Sequence, residues 1–185
     1  MFDLETSKEL GQRGIFFPSG KNRALRYEQV GTSIWDSPHQ IISFCNLAKI
    51  KITRCNSLLE LFPISVAQML VKLRYIEISN CDSLVAVIST RDEQTFGSKT
   101  ELVTQDTDVV FPLTWISLRQ LPKLESFYYG HSIIKYPSLE NKIVEDCPSM
   151  KRWSYGENHI PKIKFEHLGK PCSNINDYIA AQLEV

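Results

Sequence analysis

No stretch of this sequence is both long and apolar enough to span a bilayer. The most apolar run, Leu58 to Val71, is short and is broken by Glu60, Pro63 and Gln68. A surplus of charge is missing too: Lys plus Arg and Asp plus Glu each total 21, for a formal net charge of zero. That balance excludes a bulk pull toward nucleic acid or an acidic membrane surface, so neither is expected as a partner. The amino terminus, MFDLETSKEL, carries no apolar core of the kind a signal peptide needs. No G-x-x-x-x-G-K-[ST] loop occurs; Gly20-Lys21 has no glycine frame before it and Asn22 after it. H-E-x-x-H, C-x-x-C and G-x-S-x-G are all missing, and His39, His131, His159 and His167 are scattered. With no nucleophile, base and orienter in one pattern, the chain is expected to be non-catalytic, with no cofactor and no metal site. Five cysteines, an odd number without a signal sequence, point to a reducing cytoplasmic or nuclear setting.

What is present is a repeat. Leu47, Ile50, Ile52, Cys55 and Leu58 stand at intervals of 3, 2, 3 and 3. Leu73, Ile76, Ile78, Cys81 and Leu84 keep those intervals, as do Leu113, Ile116, Leu118, Leu121 and Leu124. A fourth copy, Leu139, Lys142, Val144, Cys147 and Met150, has a lysine where an apolar residue is expected. A fifth runs through Ile160, Ile163, Phe165 and Leu168 to Pro171, and an eroded earlier copy places Leu25, Tyr27 and Val30 in register. The five defended copies start 26, 40, 26 and 21 residues apart, and the 40-residue gap reads as one unit plus an insertion.

This is the period and pattern of a leucine-rich repeat. Its alternating centre is a short strand with one buried face, and no unit can bury that face without a neighbour stacked on it. The fold class expected is therefore an α/β repeat, a leucine-rich repeat solenoid. A curved parallel sheet would line the concave face, with short helices and irregular turns on the convex face. Strands are expected near 49–53, 75–79, 115–119, 141–145 and 162–166, within a repeat region of residues 23–172. Residues 1–22 read as an irregular N-terminal segment or remnant cap, 90–110 as an acidic insertion loop, and 173–185 as a capping helix. In "FPISVAQMLVKL", Ser65 and Gln68 match a capping box, and Val66, Met69, Leu70 and Leu73 form one helical stripe. Asn176 reads as the cap of the closing helix. Cys55, Cys81 and Cys147 share the position where the chain leaves its strand, and Leu121 stands there in the third copy. Small buried side chains fit that pattern better than metal ligands or a disulfide pair.

The stretches "FCNLAKIKITRCNSLLELFPISVAQMLVKLRYIEISNCDSL", "VVFPLTWISLRQLPKLESFYYG" and "YPSLENKIVEDCPSMKRW" resemble the C-terminal leucine-rich repeats of plant nucleotide-binding disease resistance proteins of the coiled-coil type. The resemblance covers about residues 22 to 185. It implies a recognition and autoinhibitory segment in plant defence, whose partner is a pathogen effector, a guarded host protein or a nucleotide-binding domain. Nothing here resembles the nucleotide-binding or coiled-coil regions of that family, so the chain looks like a detached sensor end. The alternative is a free-standing leucine-rich repeat adaptor, such as a ubiquitin-ligase substrate reader, or a truncated receptor fragment.

Strand residues that point away from the core supply the expected contact surface. One outward column holds Lys49, Tyr75 and Trp115; the next holds Lys51, Glu77 and Ser117; Arg119 lies beyond. Tyr75 and Trp115 are expected side by side, and aromatic residues and arginine are enriched at binding hot spots.

Overall fold

The computed structural model describes residues 47–90 and 108–183 in full and residues 14–16 and 25–26 by their backbone. The remnant cap, the eroded copy at Tyr27 and Val30, and most of the acidic loop lie outside the described residues. The described strands are β1 (Gly14–Phe16), β2 (Leu25–Arg26), β3 (Lys49–Thr53), β4 (Glu60–Pro63), β5 (Tyr75–Ser79), β6 (Ala86–Ser89) and β7 (Val109–Val110). After them come β8 (Trp115–Arg119), β9 (Ser126–Tyr129), β10 (Ile134–Lys135), β11 (Asn141–Glu145), β12 (Asn158–His159), β13 (Phe165–His167) and β14 (Lys170–Cys172). Two helices, Ile64–Met69 and Ile175–Gln182, are described with them.

The period-2 segments of the first four copies become the parallel strands β3, β5, β8 and β11, in register position for position. Alternation sends Ile50, Ile52, Ile76, Ile78, Ile116 and Leu118 to one face, where all six are buried. Each such side chain contributes about 1.5–3 kcal/mol by leaving water. The outer edge of β3 is met by β1, which runs antiparallel to it with Ile15 opposite Ile52, and β2 pairs with β1.

Each strand then ends in the same device. Arg54, Asn80, Gln120 and Asp146, none of them glycine, take a left-handed conformation with φ of 52 to 58°. That conformation aims the first three N–H groups at the next strand, where Ser79, Arg119 and Glu145 accept. A tight turn follows, with the N–H of Leu58, Leu84, Leu124 and Met150 donating to the carbonyl three residues back. The residue accepting there is Cys55, Cys81, Leu121 or Cys147, and all four are buried. The thiols donate back to the carbonyls of Thr53, Ser79 and Glu145, and Cys55 N–H donates to Cys81 Sγ at 3.4 Å. Burial holds the Cys147 thiol up at about 11. Hydrogen bonding to Cys55, with burial, raises the Cys81 thiol. The described cysteines are free thiols, and no group of three or more potential ligands among the described residues could hold a metal ion.

The return stretches are more ordered than their composition suggests. Parallel strands β4, β6 and β9 make a second sheet, which a bridge from Tyr128 to Ser154 extends; β7, β10 and β12 make a third. Phe127 and Trp153 stack with ring centroids 4.5 Å apart, and the Trp153 indole N–H donates to the buried Tyr136 hydroxyl at 3.0 Å.

Four local expectations are corrected. The short helix is capped by the extended backbone of Pro63 with no side-chain bond, so Ser65 and Gln68 form no capping box. Its buried side is Val66 and Ala67, while Met69 is 42% exposed. The strand expected over 162–166 appears instead as β13, which leaves the main sheet and folds antiparallel onto β14. Leu168 and Gly169, at φ 49° and 77°, close this hairpin as a two-residue turn with both residues left-handed, and Leu168 is 78% exposed. Finally, the cap of the closing helix is Asn174, whose side chain accepts from the Asp177 N–H at 3.0 Å. Asn176 serves elsewhere. Its side-chain oxygen accepts from the N–H of Trp153 and Ser154, and its amide donates to the Ser154 carbonyl.

Candidate functional site

Strand register fixes the outward face. Lys49, Tyr75, Trp115 and Asn141 lie in one row across β3, β5, β8 and β11. The Tyr75 and Trp115 rings stack 5.9 Å apart at an interplanar angle of 12°. The Lys49 ammonium sits 4.0 Å over the Tyr75 ring on its other flank. Cation, phenol and indole thus form a continuous row over three strands, a geometry favourable for both ring stacking and cation–π attraction.

The next row is held by charge. Lys51 pairs with Glu77 at 2.9 Å, and the Tyr75 hydroxyl donates to the same carboxylate at 2.9 Å. Partial burial works to raise the Glu77 carboxyl, but the bonds from Lys51 and Tyr75 and the charges of Lys51 and Lys49 outweigh it and hold it below its ordinary value. Burial first, then the Glu77 hydrogen bond and charge, push the Tyr75 phenol up. At these positions the phenol stays neutral and Glu77 ionised at neutral pH. Beyond them, Ser79 donates to Thr53 Oγ1 and Arg119 pairs with Glu145 at 3.4 Å.

Of the expected contact residues, Lys49, Lys51, Tyr75, Glu77, Trp115 and Arg119 are brought together on this face with part of each accessible. Ser117 is not available. At 3% exposure it lies closed in between its row neighbours Glu77 and Ile143, so its expected role as a contact residue is corrected. The Trp115 indole N–H is buried and has no acceptor among the described residues, a state that costs about 1–3 kcal/mol.

A concave region lies off this face, at the turns that follow β5, β8 and β11. A cavity of about 750 Å³ opens there between the turns and the closing helix. Repeat periodicity alone did not point to it, because it depends on where the fifth copy departs from the array.

A protein-family model for "Plant disease resistance protein RPS2-like, leucine-rich repeats" matches residues 29–82 and 68–153. The chain is 28% identical over 140 residues to disease resistance protein UNI of Arabidopsis thaliana; the aligned stretch is 75% of this chain and spans 14% of that protein. No solved structure matches the chain.

Proposed function

This chain belongs to the leucine-rich repeats of RPS2-like plant disease resistance proteins, and from that premise we propose that it is a non-catalytic recognition module of plant defence. In this reading the four parallel strands line the concave side of a solenoid, and the Tyr75–Trp115 row is the contact surface. The partner is a protein: a pathogen effector, a guarded host protein or a nucleotide-binding domain that the repeats hold inactive in the cytoplasm.

The observation that carries the reading is the stacked Tyr75–Trp115 pair flanked by Lys49. Large rings kept on a partly solvated face, already ordered by their neighbours, lose little rotamer freedom on binding. They are also the residue types that dominate interface energies. The unpartnered Trp115 N–H adds a donor that an incoming acceptor would satisfy after a small ring shift.

The test is capture from plant extract with wild-type protein beside a Tyr75→Ala/Trp115→Ala variant, with matched circular dichroism to show that both are folded. Recovery of a nucleotide-binding receptor or another defence protein, lost by about tenfold or more in the variant, is the expected result. Equal recovery by both proteins would remove the aromatic row from the site. Recovery of ubiquitin-ligase subunits instead would replace the receptor reading with that of an adaptor.

A further inference from the structure

The cavity at the turn edge has a definite cause. Strands β3, β5 and β8 each have a next strand of the sheet beside them, so their inward residues are sealed. Strand β11 has none on its outer side, because β13 turns away into its hairpin. Its inward residue Val144 is consequently only half-buried, where Ile52, Ile78 and Leu118 in the same column are fully buried. The closing helix covers the end of the array, but incompletely. Val144 and Leu183 remain partly exposed there, and Met150 and Ile179 lie buried beneath them as an apolar floor.

The rim is chemically one-sided. Asn80, Gln120 and Asp146, the left-handed residues of three successive turns, line it together with Asp82. Adjacent strands stand about 4.8 Å apart, so these side chains form a ladder with that step. The Asp82 carboxylate accepts a hydrogen bond from the Asn56 amide at 2.7 Å. Among the described residues, the Asp146 carboxylate makes no hydrogen bond or ion pair. No Lys, Arg or His is among the described residues lining the cavity. An apolar floor under a rim of oxygens with two formal negative charges, and no internal cation, is complementary to an alkyl chain that ends in a positive charge.

We propose that this cavity is a second protein-docking site, which takes an extended partner segment through an arginine or lysine side chain flanked by an apolar residue. The aliphatic stem would lie on Val144, Met150 and Ile179, and the cationic head would meet Asp146 and Asp82. A cavity of this size exceeds one side chain, which is why the neighbouring apolar residue belongs to the motif. The site is independent of the Tyr75–Trp115 row, which stands on the outward face of the same strands.

The probe is a dye-labelled hexapeptide alternating leucine and arginine, titrated by fluorescence anisotropy onto the full chain and compared with the same peptide carrying glutamate for arginine. Saturable binding of the arginine peptide only is expected, weakened about tenfold by Asp82→Asn/Asp146→Asn and unchanged by Tyr75→Ala/Trp115→Ala. Asp82 and Asp146 are exposed, so their amide variants keep the fold. Methyl NMR should show the peptide shifting Val144, Met150 and Ile179. Equal binding of both peptides, indifference to the Asp variants, or methyl shifts confined to other strands would each overturn the site. Since the aromatic variant is a separate arm, loss of one surface leaves the other standing.

Discussion

At the residue scale the apolar and cysteine columns could be read from spacing, because burial demands the same side-chain class at the same phase in every turn. The left-handed residues that precede them could not. Arg54, Asn80, Gln120 and Asp146 share no side-chain class, since what they share is a backbone angle, which in the first three points an N–H at the next strand. For most L-residues this region costs about 1–2 kcal/mol, and asparagine and aspartate tolerate it best. Arg54 therefore carries strain that Asn80 and Asp146 largely avoid. Arg54→Asn is expected to raise the urea midpoint by the equivalent of about 0.5 kcal/mol. Arg54→Val, whose branched side chain resists the conformation, should lower it by about 1–2 kcal/mol. Equal midpoints for the two variants would show that the turn relaxes around its occupant.

At the scale of elements, the four main strands are found where the period-2 pattern put them, at 49–53, 75–79, 115–119 and 141–145. The second and third sheets were not legible. Their strands are two to four residues long, too short for alternation to show, and aromatic packing orders them. The fifth strand was placed wrongly because the interval pattern continued past the point where hairpin chemistry took over. Its one visible sign was Gly169, at the turn. The consequence falls on Lys142, which points inward from β11 at a position apolar in the three preceding copies. The closing elements roof it: its ammonium lies 3.2 Å over the Tyr178 ring and 5.4 Å from that of Phe165. Burial pushes it down to about 8, against the upward pull of a Cys172 thiolate. A lysine depressed in the folded state binds its proton more tightly when unfolded. Stability should therefore be lowest below pH 8 and should rise as pH increases from about 8 toward the ordinary lysine value. Lys142→Met is expected to be more stable than wild type at pH 6.5, on the order of 1–2 kcal/mol, with the gap closing near pH 10. A constant gap across this range would mean that the cation–π contact with Tyr178 fully offsets burial.

At the scale of the whole molecule, β11, β8, β5 and β3 neighbour one another in that order, and among the described residues each strand of the main sheet is hydrogen-bonded only to its immediate neighbours. An array of this kind stores its stability in the interfaces between units, so damage should spread from a unit to those beside it before it reaches the far end. The partial cover at β11 makes that end the weaker one, with Lys142 and Val144 half-buried where other copies hold sealed isoleucine or leucine. Ile116→Ala, in the middle, removes contacts shared by β5 and β11 and should cost about 2–5 kcal/mol. Hydrogen exchange is expected to quicken in β5, β8 and β11 together. Ile50→Ala, at the other end, should quicken β3 and β5 while β11 keeps its rate, because the less sealed β11 end is expected to open locally before the whole array does. Equal acceleration of all four strands by either substitution would make the described core a single cooperative unit rather than a stack. In that case the cavity beside β11 could not open or close without unfolding the rest. Unequal acceleration would leave the β11 end free to adjust around a docked segment while the Tyr75–Trp115 row keeps its geometry.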